Sequence, residues 1–445
     1  MDPLATGLIA AAIALVVLLS GMPIAFALGV SSLTIMYMFM DHYQLSMVAE
    51  TIYEGVNDFG LLSIPLFIFM GMIVAVSKAG PDLYECFHKW LYRIPGGLGI
   101  SNIVSCAVFA ALTGSSPACA AAIGTMGIPE MRKRGYDEGL ATGIIAAGGT
   151  LGILIPPSVT LIVYGIATET SIGKLFMAGI IPGLMVAALF SLWVFWVQRR
   201  AGNRLTADAA LTGKALPDKE HYTLGEKLRA SIKTIPLMIV VCLVLGSLYT
   251  GWATPSEAAG VGAFLILITV ALLYKVYKPS AIMDIMLRTT RESSMIMMII
   301  ATSFLFGAVL TNLYIAQSLA HAIVDMGVSR WMVMGLINLL LLVLGCFLPP
   351  VAIILILSPI LHPIISGLGF DPIWFGIVMT LNLEAGLVTP PVGLNLYIVQ
   401  GVAPDIHIGK VLKGVVPFIV LLFVGILILC IFPDLTTWLP SRMIQ

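Results

Sequence analysis

The sequence predicts an all-α polytopic membrane protein built from two inverted-topology repeats, each with a re-entrant helical hairpin and a broken transmembrane helix. Three observations predict it. The first is composition: 59% of the 445 residues are hydrophobic and only 10% are charged, against about 25% charged in soluble proteins, and the mean hydropathy is +1.03. The second is the recurrence of apolar runs near the ~20 residues that span a bilayer. They are continuous rather than alternating, which argues against a β-barrel. The third is a spacing: Pro156-Pro157 and Pro390-Pro391 lie 234 positions apart, as do Gly152 and Gly386. Each Pro-Pro pair also follows a proline-bearing interruption, at Pro117 or Pro350, by about forty residues.

The predicted spans begin with Leu4–Ser20, which lacks a basic leader and reads as a retained helix. Ile24–Met40 and Leu61–Ser77 follow. The stretch around 80–97 is more amphipathic and suits the membrane surface. Ile100–Met126 is apolar but interrupted at Thr113-Gly114-Ser115-Ser116-Pro117, giving a hairpin over about 100–130. Gly139–Gly165 is a broken helix, with breaks expected at Gly148-Gly149-Thr150 and at Pro156-Pro157. Phe176–Gln198 closes the first repeat, residues 1–198.

A polar connecting segment, 199–233, separates the halves. The second repeat, 234–445, opens with Pro236–Tyr249 and Ala258–Tyr274. Ala281–Arg291 reads as a second surface piece before the span Ser294–Leu313. Trp331–Ile365 is the second hairpin, broken at Leu348-Pro349-Pro350. A broken helix over about 372–400 follows, interrupted at Thr389-Pro390-Pro391, and Lys413–Phe432 ends the repeat.

Charge sets the orientation. Residues 41–60 carry Asp41, Glu50, Glu54 and Asp58 and no Lys or Arg, so they lie outside. Lys78, Lys89 and Arg93 precede the first hairpin and Arg132, Lys133 and Arg134 follow it, so both its flanks are cytoplasmic and it enters and leaves on one side. The connecting segment holds eight Lys/Arg against four Asp/Glu and is cytoplasmic too. Five crossings plus one hairpin then invert the second half, and both termini face outward.

A broken helix in lipid leaves N–H and C=O groups unpaired, at several kcal/mol each, unless protein, water or a ligand meets them. Carbonyls at a half-helix C-terminus suit a small hard cation such as Na⁺, and N–H groups at an N-terminus suit an anion. Pairing each hairpin tip with its Pro-Pro break gives two related cation sites with an anion site between them. The first comprises Thr113, Gly114, Ser115 and Ser116 with Gly149, Thr150, Gly152, Ile155 and Ser158. The second comprises Gly345, Phe347 and Leu348 with Gly386, Thr389 and Val392. Ser116, Pro117, Thr150, Pro349 and Asn395 are the candidate substrate contacts, and Glu384 and Asn382 flank the second break. The bland alternative is that glycine and proline merely kink closely packed helices. Four breaks at symmetric places favour the sites.

Other functions find little support. Lys+Arg and Asp+Glu are 23 each, which argues against a nucleic-acid partner. The six cysteines form no Cys-x-x-Cys pair and the six histidines are dispersed, so no transition metal or organic cofactor is expected. Phosphate-loop, metalloprotease and serine-hydrolase motifs are missing, and the chain does not read as an enzyme.

These residues resemble the large membrane subunit of tripartite ATP-independent periplasmic (TRAP) transporters, in the wider ion-transporter superfamily. The resemblance rests on Gly21-Met22-Pro23-Ile24-Ala25, Ser63-Ile64-Pro65-Leu66-Phe67, Gly114-Ser115-Ser116-Pro117-Ala118, Gly149 through Ser158, Leu175 through Gly179, and Thr389 through Leu396. It implies a bacterial inner-membrane importer of a small organic anion, coupled to Na⁺, with periplasmic termini. It implies a system of three proteins: this chain in membrane lipid and two protein partners, a small four-helix membrane subunit and a periplasmic substrate-binding protein. It further implies an elevator, with a scaffold and a mobile transport domain, and Na⁺ sites at the hairpin tips and Pro-Pro breaks. Position 349 is proline where several dicarboxylate-transporting members carry an acidic residue. The rival readings are a stand-alone Na⁺/carboxylate symporter of the same superfamily, and a channel or membrane enzyme.

Overall fold

The computed structural model describes residues 2–212, 221–325 and 327–442. Among these the secondary structure is helical throughout, with no strand. Seven helices are long and apolar enough to cross a membrane, or eight if one bent pair counts as a span.

The first helices are α1 (Pro3–Leu19) and α2 (Ile24–Phe39), joined by a turn in which Gly21 takes φ +81°. Then come α3 (Val48–Val56), α4 (Ser63–Val76) and α5 (Ala79–Leu91). Four helices follow as a set: α6 (Gly97–Thr113), α7 (Ser116–Lys133), α8 (Glu138–Leu154) and α9 (Val159–Ala167). Next are α10 (Ile172–Thr212), α11 (Leu224–Tyr249), α12 (Pro255–Tyr274), α13 (Pro279–Asn312) and α14 (Ile315–Asp325). A second set of four is α15 (Arg330–Gly345), α16 (Pro350–Gly367), α17 (Pro372–Val388) and α18 (Leu394–Val402). The chain closes with α19 (Ile408–Ile431) and the short α20 (Asp434–Thr437).

The two sets of four share one plan. Their helices run 17, 18, 17 and 9 residues in the first and 16, 18, 17 and 9 in the second. Asp137 caps α8, its carboxylate accepting from Leu140 N at 3.0 Å. Asp371 caps α17, accepting from Ile373 N at 2.7 Å and Trp374 N at 3.0 Å. These caps are again 234 positions apart (371 − 137), and each stabilises its helix start by about 1 kcal/mol.

Two expectations change. The helix α8 runs unbroken through Gly148-Gly149-Thr150 and ends at Leu154. Those glycines serve close packing: a Cβ on Gly149 would lie 2.7 Å from the Ala120 side chain. The stretch Ala281–Arg291 is no separate surface piece but the first turns of α13, a continuous 34-residue helix. No glycine or proline lies between Pro279 and Gly307 to stop it. The connecting segment 199–233 is largely helical, since α10 extends to Thr212 and α11 begins at Leu224 behind a Thr223/Glu226 capping box. Residues 213–220 of that segment lie outside the described residues.

The first set is tied to the end of the second half. Helix α8 lies against α19, and glycine makes the approach: a Cβ on Gly143 or Gly414 would collide with the other helix's main chain, at Gly414 O and Gly139 O. Charge closes the same end. Arg132 at the foot of α7 reaches Asp405 (2.6 Å) and Glu138 (3.2 Å), and Lys410 reaches Glu138 (2.9 Å). The Arg132 guanidinium holds the Asp405 carboxyl below its ordinary range. These pairs lie at the surface, with Arg132 and Glu138 half-buried, and add little stability singly. The glycine contact carries the packing. Gly414→Ala is expected to destabilise the chain by about 3 kcal/mol through overpacking, read as a lowered thermal midpoint in detergent, whereas Gly335→Ala, with open space around it, should leave the midpoint unchanged.

Candidate functional site

Each hairpin tip meets its Pro-Pro break main chain to main chain. In the first set, Gly114 takes φ +60° and ends α6. A Cβ there would lie 2.7 Å from Pro157 O, and one on Gly152 would lie 2.7 Å from Ser115 C and O and from Ser116 N. The tip also touches α4, where a Cβ on Gly71 would lie 2.7 Å from Thr113 O. Helices α8 and α9 bend by 41° across the break, and Pro156-Pro157 is cis. In the second set a Cβ on Gly386 would lie 2.6 Å from Gly345 C and Cα. Gly393 N donates to Cys346 O at 3.4 Å, closing the tip onto the break, and Pro390-Pro391 is cis.

Three hydroxyls of the first pair spend their protons on nearby carbonyls, Ser158 doing so across the break, from the cap of α9 to α8. Thr113 donates to Phe109 O (3.0 Å), Thr150 to Ala147 O (2.7 Å) and Ser158 to Ile153 O (2.6 Å). A hydroxyl that donates inward keeps its lone pairs to accept or coordinate. Thr389 in the second pair does likewise, donating to Ala385 O at 2.6 Å.

The candidate residues therefore gather in two groups, but not all alike. Thr113, Gly114, Ser116, Gly149, Thr150, Gly152 and Ser158 are buried, and Ser115 is half-buried. The Ile155 side chain turns away to α10, where a Cβ on Gly183 would lie 2.6 Å from it. The second pair is open: Gly345 and Gly386 are buried, Leu348 and Thr389 are half-buried, and Phe347, Pro349 and Val392 are exposed.

A cavity of about 680 Å³ lies between the two tips. Ser116, Pro117 and Pro349 line it, with the rest of tip residues 113–118 and 349–352. Thr150 and Asn395 are not among its lining residues. Asn395 stands behind the first tip, fully buried, and donates to Ser116 Oγ (2.8 Å) and Ala146 O (3.1 Å). It is a brace from α18 in the second half to α7 and α8 in the first. Asn382 bridges α17 to α15, donating to Asn338 O (3.0 Å) and Oδ1 (2.8 Å). Glu384 is fully buried, and neither carboxyl oxygen has a partner among the described residues.

The far wall of the cavity escaped sequence reasoning. It is made by Met22–Phe26 at the start of α2, Ile68 and Met72 of α4, and Glu292, Met295, Ile296 and Ile299 of α13. The α13 residues recur at i, i+3, i+4 and i+7, one face of a helix. That signal was available, but splitting α13 at Arg291 left Glu292 outside any predicted span.

With this geometry in view, the comparisons with known proteins agree. A family profile described as "Tripartite ATP-independent periplasmic transporter, DctM component" matches residues 11–435. The C4-dicarboxylate TRAP transporter large permease protein DctM of Pseudomonas aeruginosa is 37% identical over 88% of this chain and 89% of its own length. The isethionate TRAP transporter permease protein DctMQ of Oleidesulfovibrio alaskensis is 33% identical over 95% of this chain and 64% of its own length. The crystal structure of the Alcanivorax borkumensis YdaH transporter superposes with a TM-score of 0.62 at 15% identity, covering 90% of each chain; at that identity the likeness concerns the fold alone.

Removing the Asn395 brace tests the site's internal support. Asn395→Ala leaves Ser116 and the Ala146 carbonyl short of a donor in a buried place, at about 1–3 kcal/mol. Thermal unfolding should show that loss.

Proposed function

The chain belongs to the DctM component family of tripartite ATP-independent periplasmic transporters, as a multi-pass membrane permease subunit and not an enzyme, and from that premise we propose that it imports a small organic acid anion by Na⁺ symport. The anion reaches it from a periplasmic substrate-binding protein, and a small four-helix membrane subunit completes the complex in the bacterial inner membrane. Relatives named for C4-dicarboxylate and for isethionate transport share that substrate class.

The observation that carries the reading is the meeting of each hairpin tip with a Pro-Pro break across glycine main chain. In the proposal Na⁺ occupies both meeting points and the anion occupies the cavity between the tips. The breaks free carbonyls for the cation, and the first turns of α7 and α16 direct N–H groups toward the anion. Lone pairs on Thr113, Thr150 and Ser158 add neutral oxygen ligands of the hard type Na⁺ accepts. Bound Na⁺ offsets the anion's charge before the loaded body crosses an apolar barrier.

The matching helix lengths and the 234-residue offset of the Asp137 and Asp371 caps support two inverted repeats. They also support re-entrant hairpins at α6–α7 and α15–α16. In the proposed elevator, the two sets of four helices move against a scaffold that includes α2, α4 and α13, with both termini periplasmic. Coupling follows if Na⁺ favours the loaded, movable state over the others.

The test is uptake by proteoliposomes holding all three proteins. Replacing Na⁺ with choline should abolish it, and undiminished uptake would overturn the proposal. Gly386→Ala, which forces the second tip off its break, should raise the Na⁺ concentration for half-maximal uptake by ~tenfold or more, as loss of supporting structure does at metal sites. Uptake by this chain without its partners would point instead to the stand-alone symporter.

A further inference from the structure

Among the residues that line the cavity, Glu292 is the one ionisable side chain; there is no Lys, Arg or His. It is half-buried on α13, across from the tips, and it has no ion-pair partner among the described residues. The nearest cations along its own helix are engaged or turned outward: Arg288 pairs with Asp284 at 2.9 Å, and Arg291 is exposed. The cavity is thus polarised. Its tip side offers hydroxyls and helix N-termini, which accept an anionic group. Its α13 side offers one carboxyl group set among Met295, Ile296 and Ile299, with no counter-charge to blunt it.

We propose that Glu292 is a specificity-determining residue, selecting organic acids with a single acidic group and a hydrogen-bond-donating far end, hydroxyl or ammonium, and rejecting dicarboxylates. This deepens the proposed function and rests on its assignment of the cavity to substrate. A molecule seated with its acid group at the tips turns its other end toward α13. There a second carboxylate meets Glu292 as a like charge, a juxtaposition that suppresses wrong partners strongly in a water-poor site. A hydroxyl or ammonium group at the same place donates to the Glu292 carboxylate instead, and a charge-assisted hydrogen bond is the stronger kind. An unsubstituted alkyl end gains neither and leaves the carboxylate unpaired.

Four acids of matched length separate these cases: succinate, 4-hydroxybutyrate, 4-aminobutyrate and butyrate. Binding to the purified full-length chain with its small membrane subunit, in Na⁺, is read as the rise in thermal midpoint against ligand concentration, which bypasses the binding protein. The wild-type chain is expected to bind 4-hydroxybutyrate or 4-aminobutyrate more tightly than succinate, and whichever leads identifies the donor. In Glu292→Gln the ratio should shift toward succinate by ~tenfold or more. Glu292→Asp, which keeps the charge, should retain the wild-type order and guards against a folding defect in the glutamine variant. Tighter succinate binding by the wild type, no preference at all, or a ratio unchanged in Glu292→Gln overturns the proposal. Val351→Trp, which fills the cavity, separates the two layers: if binding survives it, the assignment of the cavity to substrate has failed, and the role of Glu292 falls with it.

Discussion

The structure depends on one constraint: where a helix breaks inside an apolar body, the freed main chain must be covered by other main chain. An unpaired backbone group in such surroundings costs several kcal/mol, and here each tip covers the break opposite it. The contact is possible because Gly114 and Gly152 in the first set, and Gly345 and Gly386 in the second, present no Cβ to hold the two segments apart. Side-chain hydroxyls follow the same logic. Thr113, Thr150 and Thr389 each turn their proton to a carbonyl of their own helix, and Ser158 turns its proton across the break to Ile153 O, so polar atoms remain at the meeting points without a stranded donor.

The two meeting points are not equivalent. The first is buried and braced from the other half of the chain by Asn395. The second leaves Phe347, Pro349 and Val392 exposed. A buried junction whose polar atoms are braced gains rigidity from neighbours on every side, while an open one relies on its glycine contact and the Gly393–Cys346 hydrogen bond. The first tip is thus braced in part by the second half of the chain.

How much of this was legible in the sequence depends on the range of the signal. The interruptions at Pro117, Pro156, Pro350 and Pro390 were legible because proline and glycine act on their own backbone, and the helix ends fall beside them. The supposed break at Gly148-Gly149-Thr150 was not one, because glycine ends a helix only where nothing else holds it, and there α7 packs against the gap it leaves. The split of α13 at Arg291 failed for a related reason. Arg288 and Asp284 read as surface charges, yet they sit on the outer turns of a helix that continues inward. The place of Asn395 behind Ser116, 279 positions away, and of Glu292 across from both tips is set by packing between distant helices. No local pattern encodes that.

The cavity lies on a seam between two packed groups. On one side α13 packs with α2, α3 and α4; on the other α7, α8, α17, α18 and α19 pack with one another. Fusion of α8 to α19 through Gly143 and Gly414, with Arg132 and Asp405 closing the foot, means that the first tip cannot shift without carrying helices of the second half along. The seam has ties of its own: the Ser303 hydroxyl donates to Leu355 O between α13 and α16, and Gly71 approaches Thr113 between α4 and the first tip. Packing of α13 on α16 and of α4 on α6 also joins the two groups across the seam. The wall that α13 presents to the cavity is apolar apart from Glu292. The single carboxyl group is then the one ionisable point on that wall, and it shares the cavity with the tips because packing between distant helices brings them to α13.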